Sequence, residues 1–162
     1  MAQALPFALE ESIAEDIEQV QIAHGARSAQ GEVQARVVNR ARHEGMMTEL
    51  KAHGIEPDVI FSELDAMPVP SEGWVLLPLP DGTLLARHGA EDAMSMDASW
   101  LVDVLAADAV VHLVDAPGAD AVAARLPSSV RLTREPAPQG AWVWLHQHLD
   151  EAHGIDFLAG RG

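Results

Sequence analysis

The chain has 162 residues, 48% of them hydrophobic, no cysteine and a formal net charge of −15. That length suits one domain with a real core, and the missing cysteines exclude disulfides, thiolate metal sites and cysteine nucleophiles. The negative charge argues against binding to a nucleic-acid backbone, which requires clustered Lys and Arg.

No apolar run approaches the roughly 20 residues that a membrane span needs. No basic-plus-apolar leader opens the chain. A soluble cytoplasmic protein without membrane contact is therefore expected. Its charge is unevenly spread: residues 52–124 contain thirteen acids and one base, Arg87, whereas residues 27–51 contain five bases and three acids. The acidic stretch is expected to face a basic surface on another protein.

In chain order, Leu9, Ile13, Ile17 and Val20 form an apolar stripe at i, i+4, i+8 and i+11, which predicts a helix over 7–23. Val33, Val37 and Ala41 predict a second helix over 30–53, and the short link between the two predicts an antiparallel helical hairpin. From Pro57 the periodicity changes. Asp58 to Phe61 reads as a short strand. Trp74 to Leu79 and Thr83 to His88 read as a β-hairpin around Pro80-Asp81-Gly82, where Pro fixes φ and Gly accepts a positive φ. The prolines suggest an edge position for its first strand.

Asp97 or Ser99 can cap a helix through Trp100, Leu101, Val104 and Leu105. The continuous apolar run 109–114 has buried-strand character. A turn at Asp115-Ala116-Pro117-Gly118, a short helix over 119–126 and a strand over 129–133 then predict a parallel β-α-β unit. The last element, 141–153, reads as a helix with Trp142, Leu145, Leu149 and Ala152 on one stripe. The expected fold class is α/β, in the mixed α+β sense. It is one domain over 1–162, with a helical hairpin subregion at 1–56 and a mixed subregion at 57–162.

The tripeptide Ala-His-Gly occurs three times, ending at Gly25, Gly54 and Gly154. Each copy falls at a predicted helix end. There Gly adopts the left-handed conformation without strain, and a preceding His suits the negative end of the dipole. These histidines are thereby read as helix punctuation, with all three glycines at positive φ.

Two other histidine settings are candidates for chemistry. On a helix, His146, Asp150 and His153 fall at i, i+4 and i+7 and could hold a metal through imidazole and carboxylate. His112 and Asp115 lie on and at the end of the 109–114 run, where open α/β sheets place ligand groups. The string around Asp115 resembles the strand and DxxG turn of phosphate-binding GTPases. The chain has neither GxxxxGK[ST] nor GxGxxG to cradle a phosphate. No G-x-S-x-G elbow is present either.

No catalytic residue is assigned, no cofactor is expected, and the reading leans away from an enzyme. Trp142 and Trp144 lie about 200° apart on a helix, so one must face outward. Trp144, with Glu91 and Asp92, is the expected protein-contact set. The leading functional expectation is a non-catalytic acidic binding module of adaptor, inhibitor or immunity type. The alternatives are a small metal-dependent enzyme at the C-terminal His/Asp cluster and a structural subunit of a larger assembly. The oligomeric state is left open.

Overall fold

A computed structural model of the chain describes residues 9–10, 13–90, 92–150 and 154–159. The described residues form two compact units: one from the stretch up to Phe61 together with the segment from Ile155, the other from Ser62 to Gly154. Mixed α and β structure is present, as the composition of the elements predicts.

In the first unit, β1 (Val20–Arg27) and β2 (Val33–Asn39) form an antiparallel pair, and α1 (Arg40–Ala52) follows. This corrects the expected helical hairpin: a 3-10 turn at Ile17–Gln19 leads into strands at 20–27 and 33–39, and of the second expected helix only the part from Arg40 is helical. The apolar spacing of Ile13, Ile17 and Val20 is compatible with a helix. Val20, Ile22, Val33, Val37 and Val38, however, are β-branched residues, which lose side-chain freedom on a helix and pack well on a pleated surface. Gly31, at φ 88°, lies in the turn between the strands. Asn39 ends β2 and caps α1, its side chain accepting from the Arg42 N–H at 3.0 Å.

Helix α1 ends as the second Ala-His-Gly copy predicts. Gly54 has φ 73°, its N–H donates to Lys51 O at 3.0 Å, and the Ile55 N–H donates to Leu50 O at 2.9 Å. This pair of bonds satisfies carbonyls that the last turn leaves open. The first copy does not follow the rule, because Gly25 lies inside β1 without a positive φ. His153 of the third copy lies outside the described residues.

The expected strand at 58–61 is irregular chain. It is held instead by the segment after Ile155. The Phe157 N–H donates to Ile60 O at 2.8 Å, and the Asp156 carboxylate accepts from the Ile60 and Leu158 N–H groups, each at 2.9 Å. Ala23, Ile155 and Phe157 form the small core of this unit.

The second unit begins with α2 (Glu63–Ala66) and contains a five-stranded sheet. Its strands are β3 (Trp74–Pro78), β4 (Leu84–His88), β5 (Asp92–Met96), β6 (Val110–Asp115) and β7 (Arg131–Pro136). They lie in the order β5-β4-β3-β6-β7, the first three antiparallel and β3, β6 and β7 parallel. Three helices complete the unit: α3 (Leu101–Val104), preceded by a 3-10 turn at Ala98–Trp100, α4 (Ala119–Ala123) and α5 (Ala141–His148).

The predicted β3–β4 hairpin is present. Its turn is closed by Leu79 N–H to Thr83 O at 2.8 Å and by the Asp81 carboxylate accepting from the Thr83 N–H at 2.9 Å. Its place in the sheet is a correction, since β3 is central rather than an edge. Pro78 and Pro80 sit at the strand end and in the turn, where their missing N–H groups remove nothing from the β6 ladder, which uses 74–76.

Alternation along β3 sends its side chains into two cores. Val75 and Leu77 join Met67, Val114, Ala141, Trp144 and Leu145 on one face. Leu76 joins Leu84, Leu101, Val111, Leu113 and Val122 on the other. Burial of both faces explains the unbroken apolar runs of β3 and β6. Gly73 enters β3 at φ 66°, where a Cβ would lie 2.1 Å from Val110 O, so the chain passes too close to β6 for any side chain.

Arg87 donates to four backbone carbonyls of this unit. Only 8% of it is exposed. Its guanidinium donates to Leu64 O and Met67 O at 2.9 Å, to Gly89 O at 3.1 Å and to Ala90 O at 2.5 Å. It thus ties the α2 segment to the turn after β4. Replacing it with methionine keeps the stem and removes every donor. Buried carbonyls left without partners cost about 1–3 kcal/mol each at most. Arg87→Met is therefore expected to lose about 2–4 kcal/mol in denaturant unfolding, and Arg87→Lys to fall between it and the parent.

Candidate interaction surface

The surface built by α3 begins with its cap. Asp97 accepts from the Ser99 N–H at 2.8 Å and starts the 3-10 turn. That bond holds the Asp97 carboxyl below its ordinary value of 3.8. Leu101 and Leu105, four residues apart, are buried against the sheet. Val104 packs partly against the same core, and Val102 and Asp103 face outward. Trp100 is 59% exposed and Val102 61% exposed, and Asp103 beside them is exposed. Asp92, at the opposite end of the edge strand β5 from Asp97, is exposed, as is Asp108 after α3.

Arg87 gives this face its sign. It is the single Lys or Arg within 52–124, and it is buried against carbonyls. Within that stretch no exposed Lys or Arg remains, and the cation that acts on Asp97 is the exposed Arg125, just beyond it. Composition alone makes the stretch acidic; burial of its one cation makes its outer surface more so.

The expected contact residues are only partly placed here. Asp92 is exposed, whereas Glu91 lies outside the described residues. Trp144 is corrected: it is 3% exposed and packs in the core, while Trp142 is 56% exposed. The buried face of α5 consists of Ala141, Trp144 and Leu145, so the helical stripe runs one register from the one centred on Trp142. The surface residue that the sequence pattern conceals is Trp100, which groups there with the inward residues of its helix.

The C-terminal histidines also differ from expectation. Helix α5 ends at His148, and Leu149 is extended with ψ 123°. His146 and Asp150 therefore do not share a helix face. Both are exposed, and His153 lies outside the described residues. Among the described residues no three His, Cys, Asp or Glu side chains are grouped to hold a metal. The histidine that is engaged is His148. It stacks on Trp144 with ring centroids 4.0 Å apart, its Nδ1 lies 2.8 Å from Trp144 O, and its Nε2 is 3.5 Å from Glu135.

Midway along β6 and β7, His112 Nδ1 lies 2.7 Å from Thr133 Oγ1. Asp115 accepts from Arg134 at 2.5 Å, and Asp120 accepts from the same guanidinium at 2.7 Å. The hydrogen bonds that Arg134 donates to Asp115 and Asp120 raise its pKa above the ordinary value. Both sequence-predicted ligand residues are thus joined to β7.

Two outcomes check this placement. Trp144→Ala is expected to cost about 3–5 kcal/mol in unfolding free energy, and Trp142→Ala to stay within about 0.5 kcal/mol of the parent. Asp97→Ala is expected to lower stability at neutral pH. Because the folded-state carboxyl titrates below its unfolded value, its contribution is complete above that value and disappears as pH falls through the folded one. The difference between parent and variant, measured by urea unfolding across pH, should therefore close below pH 3.8.

Among the described residues, no helix is long and apolar enough to cross a membrane. A family model described as "Type II secretion system (T2SS), protein L" matches residues 1–161. The type II secretion system protein L of Vibrio cholerae serotype O1 is 33% identical over 106 residues, covering 64% of this chain and 25% of that protein. The chain thus spans about a quarter of the length of this curated relative. A solved structure described as the cytoplasmic domain of EpsL, an inner membrane component of the type II secretion system of Vibrio cholerae, superposes with a TM-score of 0.72 at 24% identity. The match covers 98% of this chain and 67% of that one, and shows a shared fold. By the match over 1–161, the chain belongs to the type II secretion system protein L family.

Proposed function

We propose that this chain is a structural subunit of a type II secretion assembly, acting at the cytoplasmic side of an inner membrane by holding other protein components. The observation that carries the reading is the family match along residues 1–161. The solved relative, the cytoplasmic domain of an inner membrane component, supports the location. Of the three functional expectations, the assembly subunit is therefore kept. The inhibitor or immunity-type reading and the metal-dependent enzyme give way to it. The expectation of no membrane association gives way as well.

The acidic face around Trp100 is the proposed docking surface within that role. A large ring set among carboxylates gives a partner both an apolar anchor and a charge to match. A segment carrying Lys or Arg around an apolar residue fits it. Acids steer such a partner at long range, and the exposed ring supplies the part of the affinity that salt does not screen.

The test is binding of the purified chain to the other inner-membrane and cytoplasmic components of its own secretion system, followed from 50 to 500 mM salt. Affinity for one component is expected to fall as salt rises, and about tenfold or more with Trp100→Ala, while thermal unfolding stays unchanged. Binding insensitive to both salt and Trp100→Ala would exclude this face. Binding to none of the components would exclude the subunit role itself.

A further inference from the structure

Helix α1 has thirteen residues, yet His43 is the single one it buries. Apolar side chains that a larger core would take stay at the surface of the first unit: Met46 is 39% exposed and Ile55 51% exposed. Ile55 also lines an open cleft of about 300 Å³, together with Met47, Thr48, Lys51, Glu56 and Pro57. That volume is at the lower end of ligand-sized clefts and leaves room for an anchoring side chain.

Backbone and charge select the occupant. An extended segment needs a free backbone rail, which a helical wall lacks. The carbonyls of the last turn are also taken: the Gly54 N–H donates to Lys51 O and the Ile55 N–H to Leu50 O. A helix bonds its own backbone internally and asks only for side-chain contacts. The exposed acids Glu44, Glu49 and Glu56 repel an anionic lipid surface. Along α1, Glu44, Met47 and Lys51 follow at i, i+3 and i+7, so an acid, the apolar wall and a base share one face in that order. Among the described residues no opposite charge pairs with Glu44 or Lys51.

We propose that this cleft docks an amphipathic helix of another component of the assembly, lying antiparallel to α1. An apolar residue of the incoming helix fills the cleft beside Met47 and Ile55. An acid one turn before it pairs with Lys51, and a base one turn after it pairs with Glu44. In its own sequence the incoming helix therefore reads acid, apolar, base at i, i+3 or i+4, and i+7. That order also suits its own dipole, with the acid nearer the N-terminus and the base nearer the C-terminus. Met47 and Met46 adapt their shape to such an anchor, as methionines do at other helix-binding grooves. The contact lies at the low end of interface sizes, so a Kd of about 0.1–1 mM is expected for it alone. The inference rests on the assembly-subunit reading for the source of the helix. The cleft belongs to the first unit, whereas Trp100 belongs to the second.

Lys51 is the only lysine of the chain, which makes the test direct. The probe is a capped, alanine-based peptide of about 18 residues, long enough to hold a helix, with Glu, Leu and Lys at i, i+3 and i+7. It is expected to bind the full chain, and to lose about tenfold in affinity when its Leu is replaced by Ser. Ile55→Ser in the chain should weaken binding about fivefold, while thermal unfolding stays unchanged because that side chain is half exposed. Lys51→Glu should weaken it about threefold, and a peptide with Lys in place of its Glu should recover the loss. A carbodiimide, which joins an amine to a carboxyl group, should link Lys51 to the peptide's Glu. In the assembled machine the same reagent should link Lys51 to a helix of that pattern in another component. A peptide that fails to bind at about 1 mM would overturn the proposal. So would binding indifferent to Ile55→Ser or to the charge exchange, or a Lys51 link to a second copy of this chain. If the chain binds its components but Lys51 links to none of them, the docking role of the cleft fails and the subunit reading stands. If it binds no component, the subunit reading fails, and the proposal with it.

Discussion

The Arg87 guanidinium, planar and always charged, meets two demands in one place. The α2 segment and the turn after β4 both bring carbonyls to one place, that of Met67 buried, where a donor is needed. A single forked cation supplies them all. The β4–β5 meander and the helix that covers one face of the sheet are thereby held together through one side chain. The same burial withdraws the only Lys or Arg of the 52–124 stretch from the surface. A constraint that arises in the core thus removes this cation from the exterior of the stretch.

How far the sequence could be read depended on whether local pattern and tertiary packing agreed. They agreed in the β3–β4 hairpin, where Pro80-Asp81-Gly82 leaves little choice of turn. The same holds in the β6-α4-β7 unit, where an apolar run, a Gly turn and a second strand can pack in few ways. They also agreed at the end of α1, because Gly54 serves any helix that stops there. They disagreed at the N-terminus. Ile13, Ile17 and Val20 keep helical spacing, but Val20, Ile22 and the valines of β2 pair across a hairpin, and tertiary pairing outweighs spacing over so few turns. Proline suggests an edge for β3 only while its position within the strand is ignored: at a strand end its missing N–H has no ladder partner to lose.

The interaction residues were legible in kind more than in identity. That one of Trp142 and Trp144 must face outward follows from helix geometry alone. Which one does depends on the register of α5, and that is set by Ala141 and Leu145 packing with Met67 and Val114, contacts distant in sequence. Trp100 shows the same limit. Its neighbours Leu101 and Leu105 satisfy the inward face, so a residue that looks like a core anchor by composition is left outside. The C-terminal histidines looked like a ligand set only on a helix extended beyond His148. Once the chain becomes extended at Leu149, the spacing that suggested the set has no geometric meaning.

Three adjacent strands of the sheet, β3, β6 and β7, run in the same direction. A pull along that direction, with opposite ends held, loads the ladder bonds between neighbouring strands side by side in shear, so none can yield before its neighbours share the strain. A pull across the strands would open them one after another, like a zip. The antiparallel turns on the β4–β5 side lack this directional advantage. The unit is therefore mechanically anisotropic, stiffest along the axis of its parallel strands.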